Sequence, residues 1–235
     1  FHAYLQSKHI PFESALAKSA NMKMFSHIEK GLAAANLMLG KLRGEAPDMK
    51  GTGKRFSHMM ALAPNASTSI IMGNTSPSIE PYRANAFRQD TMSGSSLLKN
   101  RFLDKIIRKE QEEKGHSESW YEEQWSSIIS TDGSVQHLNW LDDYSKDVFK
   151  TSMEIDQRWI IEHAADRQNY IDQAQSLNLF FRPDVHIKYL HAVHFLAWKM
   201  KLKTLYYCRS EKIGKADKVA KRIERDIIKE LDMTE

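Results

Sequence analysis

A single cysteine, Cys208, stands among 235 residues. That excludes an internal disulfide framework and any cysteine-rich zinc site, and it fits a reducing compartment, so a cytoplasmic location is expected. No run of about 18 apolar residues occurs, so neither a membrane-spanning helix nor a membrane partner is expected. Ten glycines and six prolines are too few for a collagen-like or low-complexity chain. The opening FHAYLQSKHI has no basic stretch followed by an apolar one, so no signal peptide is visible. It also has no initiator Met, so further residues upstream are expected. Neither sign of charge is scarce. There are 34 Lys and Arg against 30 Asp and Glu, a net charge of +4, and the pI is about 9.0. The basic runs 199–203 and 215–225 read as solvated helix faces. Acidic residues interrupt the second, so a nucleic-acid partner is not expected. With 41% apolar and 27% charged residues, the chain is expected to fold as one large domain or two small ones.

Periodicity supplies the elements. Phe25, Ile28, Leu32, Ala35, Leu39 and Leu42 recur at three- and four-residue steps, predicting a helix over 14–42. Residues 56–63 (FSHMMALA), stopped by Pro64, predict a buried strand, and 64–82 a loop holding at most a short helix. Segments 84–90 and 95–99 flank a turn at Gly94 and predict a hairpin. Residues 101–145 read as short polar helices and 148–173 as one long helix with Asp166 and Arg167 facing solvent. Strands are expected at 175–181 and 204–208, with helices at 184–202 and 215–232. Helices alternating with short apolar strands predict an α/β architecture with helical crossovers. The strands are too few to close a barrel, so further strands are expected from elsewhere.

Two constellations carry chemistry. Pro64, Asn65, Ala66, Ser67, Thr68 and Ser69 follow a strand with small hydroxyl side chains and open backbone amides. If a helix begins near Ile70, its positive end joins them in a phosphate cradle; an ordinary N-capping turn explains the same residues. Gly51-Thr52-Gly53-Lys54 has neither Walker-loop nor dinucleotide-fingerprint spacing. Tyr206 and Tyr207 form the second. Adjacent strand residues point to opposite faces, so one ring packs inside and one outside. The alternative is a redox relay, because a phenol can lose an electron and a proton together. His186, His191 and His194 share a predicted helix, but no carboxylate or Cys joins them at ligand spacing. Glu113 and His116 form a lone Glu-x-x-His pair interrupted by Gly115, so no metal site is expected. Cys208 has no evident His or Asp to orient it as a nucleophile.

In combination, these segments resemble the C-terminal part of the large (alpha) subunit of class I ribonucleotide reductase. The likeness runs through Phe12-Glu13-Ser14, Gly51-Thr52-Gly53, APNASTS at 63–69, IMGN at 71–74 and SIEPY at 78–82. It continues through Met92-Ser93-Gly94, Ala164-Ala165-Asp166-Arg167, DQAQSLN at 172–178 and Lys203-Thr204-Leu205-Tyr206-Tyr207.

The resemblance implies a ten-stranded α/β barrel, of which 1–210 would be the C-terminal portion, incomplete alone, with 211–235 a charged helical tail. It implies reduction of ribonucleoside diphosphates to deoxyribonucleotides by thiyl-radical chemistry. Pro64–Ser69 would hold the substrate diphosphate. Tyr206 and Tyr207 would pass a radical from a dimetal small subunit, whose C-terminal tail would dock against the helix at 184–202. No cofactor would be bound by this chain. ATP and deoxynucleotide effectors, the thiyl cysteine and the reducing cysteine pair would belong to an N-terminal half. Thioredoxin or glutaredoxin would be indirect partners. A C-terminal cysteine pair is not present, and Cys208 matches none of these roles. The chain is therefore expected to be a fragment or a split-subunit half, inactive alone. The other reading is a non-enzymatic α/β interaction module descended from such an enzyme.

Overall fold

The Ser14 hydroxyl accepts the Ala17 amide at 3.1 Å and so caps helix α2, which runs unbroken from Ala15 to Arg43. Gly44, at φ 75°, ends it, with Lys41 and Arg43 near its negative end. This is the helix expected over 14–42, with its buried face rotated. Ala17, Asn21, Phe25, Asn36 and Gly40 are buried. Of the expected apolar stripe only Phe25 is, and Leu42 is 72% exposed. The cause is close backbone approach. A Cβ on Gly40 would lie 2.2 Å from the Gly53 carbonyl oxygen, and the Asn36 side chain bonds both the amide (2.7 Å) and the carbonyl (2.8 Å) of Phe56.

This computed structural model describes residues 1–91 and 94–210. The helix expected at 215–232, the tail at 211–235 and Met92-Ser93 lie outside the described residues. Before α2 comes α1 (His2–Ser7), and after it a 3-10 turn at Pro47–Met49 and α3 (Ala66–Ile71). Strands β1 (Ala86–Thr91) and β2 (Gly94–Lys99) form the expected antiparallel hairpin, Ala86 facing Lys99. The polar middle gives α4 (Arg101–Lys114), α5 (Glu118–Ser130) and α6 (Asp143–Val148). Asn100, Ser117 and Asp142 cap them by accepting backbone amides. The last elements are α7 (Gln157–Gln168), β3 (Leu179–Phe181), α8 (Ile187–Lys199) and β4 (Cys208–Ser210).

Several expectations are corrected. The helix expected over 148–173 is confined to α7. Upstream, the amides of Thr151, Ser152 and Asp156 go to Glu154, the Tyr82 carbonyl and Glu13, at 2.7, 2.8 and 2.5 Å. Asp156 then caps the helix proper. Arg167 does not face solvent; it is 1% exposed. Helix α8 starts at Ile187, because the His186 ring accepts the Lys188 amide.

The strand expected at 56–63 shrinks to one parallel bridge, Leu62 with Gln175. The strand expected at 175–181 is regular only at β3, which pairs parallel with β4, Leu179 facing Cys208. Leu62 bonds residues 174 and 176, while Tyr206 and Tyr207 bond residues 177 and 179. Alternate peptide groups point to opposite edges, so 174–181 is a central strand with a neighbour on each side. Leu177, Leu179, Phe180 and Phe181 are all at most 5% exposed. Burial on both faces is what parallel pairing under helices demands.

The apolar interior divides in two. One cluster joins Phe12, which precedes α2, with Phe25, Ile161, Leu179, Phe181 and Val193 from α2, α7, β3 and α8. The other joins Leu103, Ile107, Trp125, Ile128, Val148 and Phe149 beneath the hairpin. Among the described residues the strands close no barrel, and no helix is long and apolar enough to cross a membrane.

Candidate functional site

The Asp172 carboxylate fixes the approach to the hydroxyl-rich loop, accepting the amides of Met59 and Met60 at 2.6 and 2.9 Å. Burial pushes its carboxyl up, but those two amides, with its own amide and the nearby His58, together hold it below the usual carboxylate range. The Leu62 bridge follows, and Pro64 turns the chain out of the sheet at the carboxyl end of that strand. Parallel sheets leave room for ligands there.

The helix beyond starts earlier than expected. Asn65, in the left-handed region at φ 51°, is its N-cap, and Ala66, Ser67, Thr68 and Ser69 form its first turn. The Asn65 side chain makes no capping bond, and the Ser69 hydroxyl is spent on the Ala66 carbonyl at 2.6 Å. Asn65, Ala66, Ser67 and Thr68 are exposed, Pro64 half-buried and Ser69 buried. The Ser69 amide already donates to the Asn65 carbonyl at 3.0 Å, but the amides of Ala66, Ser67 and Thr68 have no intrahelical acceptor, so the exposed side offers N–H groups beside the Ser67 and Thr68 hydroxyls. A cavity of about 570 Å³ beside α3 is lined by Ala66, Ser69, Ile70, Asn74, Tyr82 and Ile129, without Ser67 or Thr68.

Tyr206 and Tyr207 precede β4 instead of lying within a strand at 204–208, and their rings are not on opposite faces. The centroids are 4.1 Å apart, inclined by 51°. The Tyr206 hydroxyl donates to that of Tyr207 at 3.3 Å. That bond raises the Tyr206 pKa. Both residues are 54% exposed. The bend that brings them together needs neither Gly nor Pro. The Tyr207 amide leaves the ladder and donates to the Asn178 side chain at 3.1 Å.

That amide leads to Glu80, which the sequence reading quoted only as a letter of SIEPY. Asn178 Nδ2 donates to the Glu80 carboxylate, and both residues are buried, at 1% and 9% exposed. Arg209 lies over the Tyr207 ring, 5.5 Å from its centroid. A carboxylate between Ile79 and Pro81, in a stretch destined for the interior, was the available signal.

The histidines of α8 go separate ways. His186 caps the helix, His191 stacks on Phe195, and His194 bonds the Leu190 carbonyl at 2.7 Å. Glu113 pairs with Lys109, and His116 stacks on Trp120 at 4.2 Å. Among the described residues no three His, Cys, Asp or Glu side chains gather as metal ligands would. Cys208 is exposed, and burial of its thiol raises its pKa, away from the reactive thiolate.

Comparison with known proteins gives one result. The family described as "Ribonucleotide reductase, barrel domain" matches residues 46–208. The ribonucleoside-diphosphate reductase large subunit of Invertebrate iridescent virus 6 is 54% identical over 222 residues, 94% of this chain and 23% of that protein. The large subunit of Invertebrate iridescent virus 3 is 55% identical over 219 residues, 93% of this chain and 34% of that protein. The class Id ribonucleotide reductase alpha subunit of Actinobacillus ureae has a similar structure. Its TM-score is 0.79 at 38% identity, over 90% of this chain and 37% of that one. The chain thus spans about a quarter to a third of the length of these relatives. Sequence and fold agree over nearly all of what is described, and the chain belongs to the ribonucleotide reductase family, within the barrel domain of the large subunit.

Proposed function

We propose that this chain is part of a ribonucleoside-diphosphate reductase large subunit that reduces ribonucleoside diphosphates to deoxyribonucleotides by radical chemistry. It supplies the tyrosine relay and the substrate phosphate loop. The observation that carries the reading is the 3.3 Å hydroxyl-to-hydroxyl bond between Tyr206 and Tyr207. A phenol oxidised near neutral pH gives up its proton with its electron, and a second phenol within hydrogen-bond distance lets both cross one short gap. Two rings that served only to pack would have no need to be half-exposed with their hydroxyls together. Tyr206 is assigned the active-site side and Tyr207 the small-subunit side.

Pro64–Ser69 holds the diphosphate. The exposed amides of the first turn of α3 and the hydroxyls of Ser67 and Thr68 suit an anionic group, and membership of the family supports the assignment. The small subunit, whose dimetal centre generates the radical, docks its tail on α8. There Ile187, Phe195 and Trp198 are 71%, 49% and 72% exposed along one face. The thiyl cysteine, the reducing cysteines and the effector sites come from the rest of the large subunit. Thioredoxin or glutaredoxin acts on that part, and the assembly is cytoplasmic. The family membership favours this reading over a non-enzymatic module.

The apolar segment 177–181 is flanked and buried and so offers no open edge, whereas 56–63 is largely exposed. Reconstitution tests the proposal. Deoxyribonucleotide formation should require this chain, the remainder of a large subunit and a small subunit together. Formation by this chain with only a small subunit and a reductant would overturn it.

A further inference from the structure

The sheet ladder alone does not hold the tyrosine pair. The Tyr206 amide donates to the Leu177 carbonyl at 2.8 Å, and the Leu179 amide to the Tyr207 carbonyl at 2.9 Å. Between these bonds the Tyr207 amide has no carbonyl to meet and takes the Asn178 side-chain oxygen at 3.1 Å. Asn178 is 1% exposed, so water cannot substitute for its partners. Its Nδ2 donates to the Glu80 carboxylate. A backbone amide only donates and a carboxylate only accepts, so these partners together permit one orientation of the Asn178 amide. Without the carboxylate, nothing on that side distinguishes oxygen from nitrogen. The Asn178 Nδ2 group is then left buried without that acceptor, and the Tyr207 amide alone holds the side chain in place.

Glu80 arrives from a different part of the chain, the 78–82 segment that also seats Tyr82 against His2. It therefore ties the tyrosine lead-in to a segment outside the β3–β4 ladder. Burial pushes the Glu80 carboxyl up, opposed by the Arg209 charge and the Asn178 bond. Arg209 is the residue that also lies over the Tyr207 ring.

We propose that Glu80 is a positioning residue for the tyrosine pair: through Asn178 it fixes the Tyr207 backbone and so keeps the two phenols within hydrogen-bond reach. This rests on the relay reading above for its consequence in turnover, but not for its consequence in geometry.

The test uses reductase assembled from this chain, the rest of a large subunit and a small subunit, with 3-fluorotyrosine at position 207 for fluorine NMR. Turnover and substrate dissociation constants are measured on the unlabelled counterparts. Glu80→Leu removes the acceptor. It should move the fluorine signal and lower turnover about tenfold or more, the size of a buried group left unsatisfied, with substrate affinity unchanged. Glu80→Gln keeps a carbonyl acceptor for Asn178 Nδ2 and should restore the signal and most of the turnover. If Glu80→Leu does not fold, Asn178→Ala removes the same link and is read the same way. An unmoved signal in the folded variant overturns the proposal. A moved signal with full turnover supports the positioning and rejects the relay reading instead.

Discussion

The Asp172 carboxylate accepts the Met60 amide at 2.9 Å, with the Met59 amide on its other oxygen. These residues lie far apart in sequence, and the contact fixes where the chain enters the Pro64–Ser69 loop. Asp172→Ala should therefore lower ribonucleoside diphosphate affinity of the assembled enzyme several-fold, leaving the signals of Tyr206 and Tyr207 in place. Asp172→Asn, which keeps one acceptor oxygen, should fall between. Isothermal titration with substrate measures it, and equal affinities for all three proteins would contradict the role.

Thr68 presents an exposed hydroxyl on the first turn of α3. A hydrogen bond to a charged group is worth roughly 1.5–3 kcal/mol, so Thr68→Ala should weaken substrate binding about tenfold or more. Because the side chain is exposed, thermal stability should hardly change. An unchanged substrate dissociation constant would remove Thr68 from the phosphate site.

His163 sits among aromatic rings, 4.8 Å from the Phe12 centroid and 5.6 Å from that of Phe1. Its Nε2 meets the Phe12 carbonyl at 2.8 Å, while its buried Nδ1 has no partner. A proton on Nδ1 would have nothing to bond. Burial pushes the ring down from 6.5 to about 4. The unfolded chain takes up a proton below its ordinary pKa that the folded chain refuses. Stability should thus fall as pH drops from 6.5 toward 4, by about 3 kcal/mol in all. Denaturant unfolding at stepped pH reads the slope. His163→Gln should flatten it but not abolish it, because His2 is also buried and pushed down, to about 3. An identical slope in wild type and variant would contradict the assignment.

Much of this was legible in the residues, and the failures have physical causes. The hairpin was readable because Gly94 separates two strand-like runs. The extent of α2 was readable from apolar residues at three- and four-residue steps. Its buried face was not, because Gly40 and Asn36 pack against backbone, and hydrophobic periodicity does not register small or amide residues that make close contacts. The long helix expected from Val148 broke because Glu13, Tyr82 and Glu154 take amides a helix would need, and two of those partners are distant in sequence. Strand logic placed Tyr206 and Tyr207 on opposite faces. A side-chain amide, Asn178, replaced the ladder carbonyl and bent the chain there, which pattern alone does not encode. The loop at Pro64–Ser69 was found by composition, but its helix began sooner, because Asn65 adopts the left-handed geometry that Asn tolerates well.

The central claim is that Tyr206 and Tyr207 carry a radical, and turnover of their phenylalanine variants tests it most directly. In reductase assembled with Tyr206→Phe or Tyr207→Phe, the ring and its packing stay and the oxidisable hydroxyl goes. Thermal stability and substrate affinity, measured on the same preparations, should stay close to wild type, since one exposed hydroxyl bond is worth on the order of 1 kcal/mol. Deoxyribonucleotide formation should be nearly abolished in each variant. A folded, substrate-binding Tyr206→Phe or Tyr207→Phe enzyme that keeps most of its turnover would contradict the claim at that position.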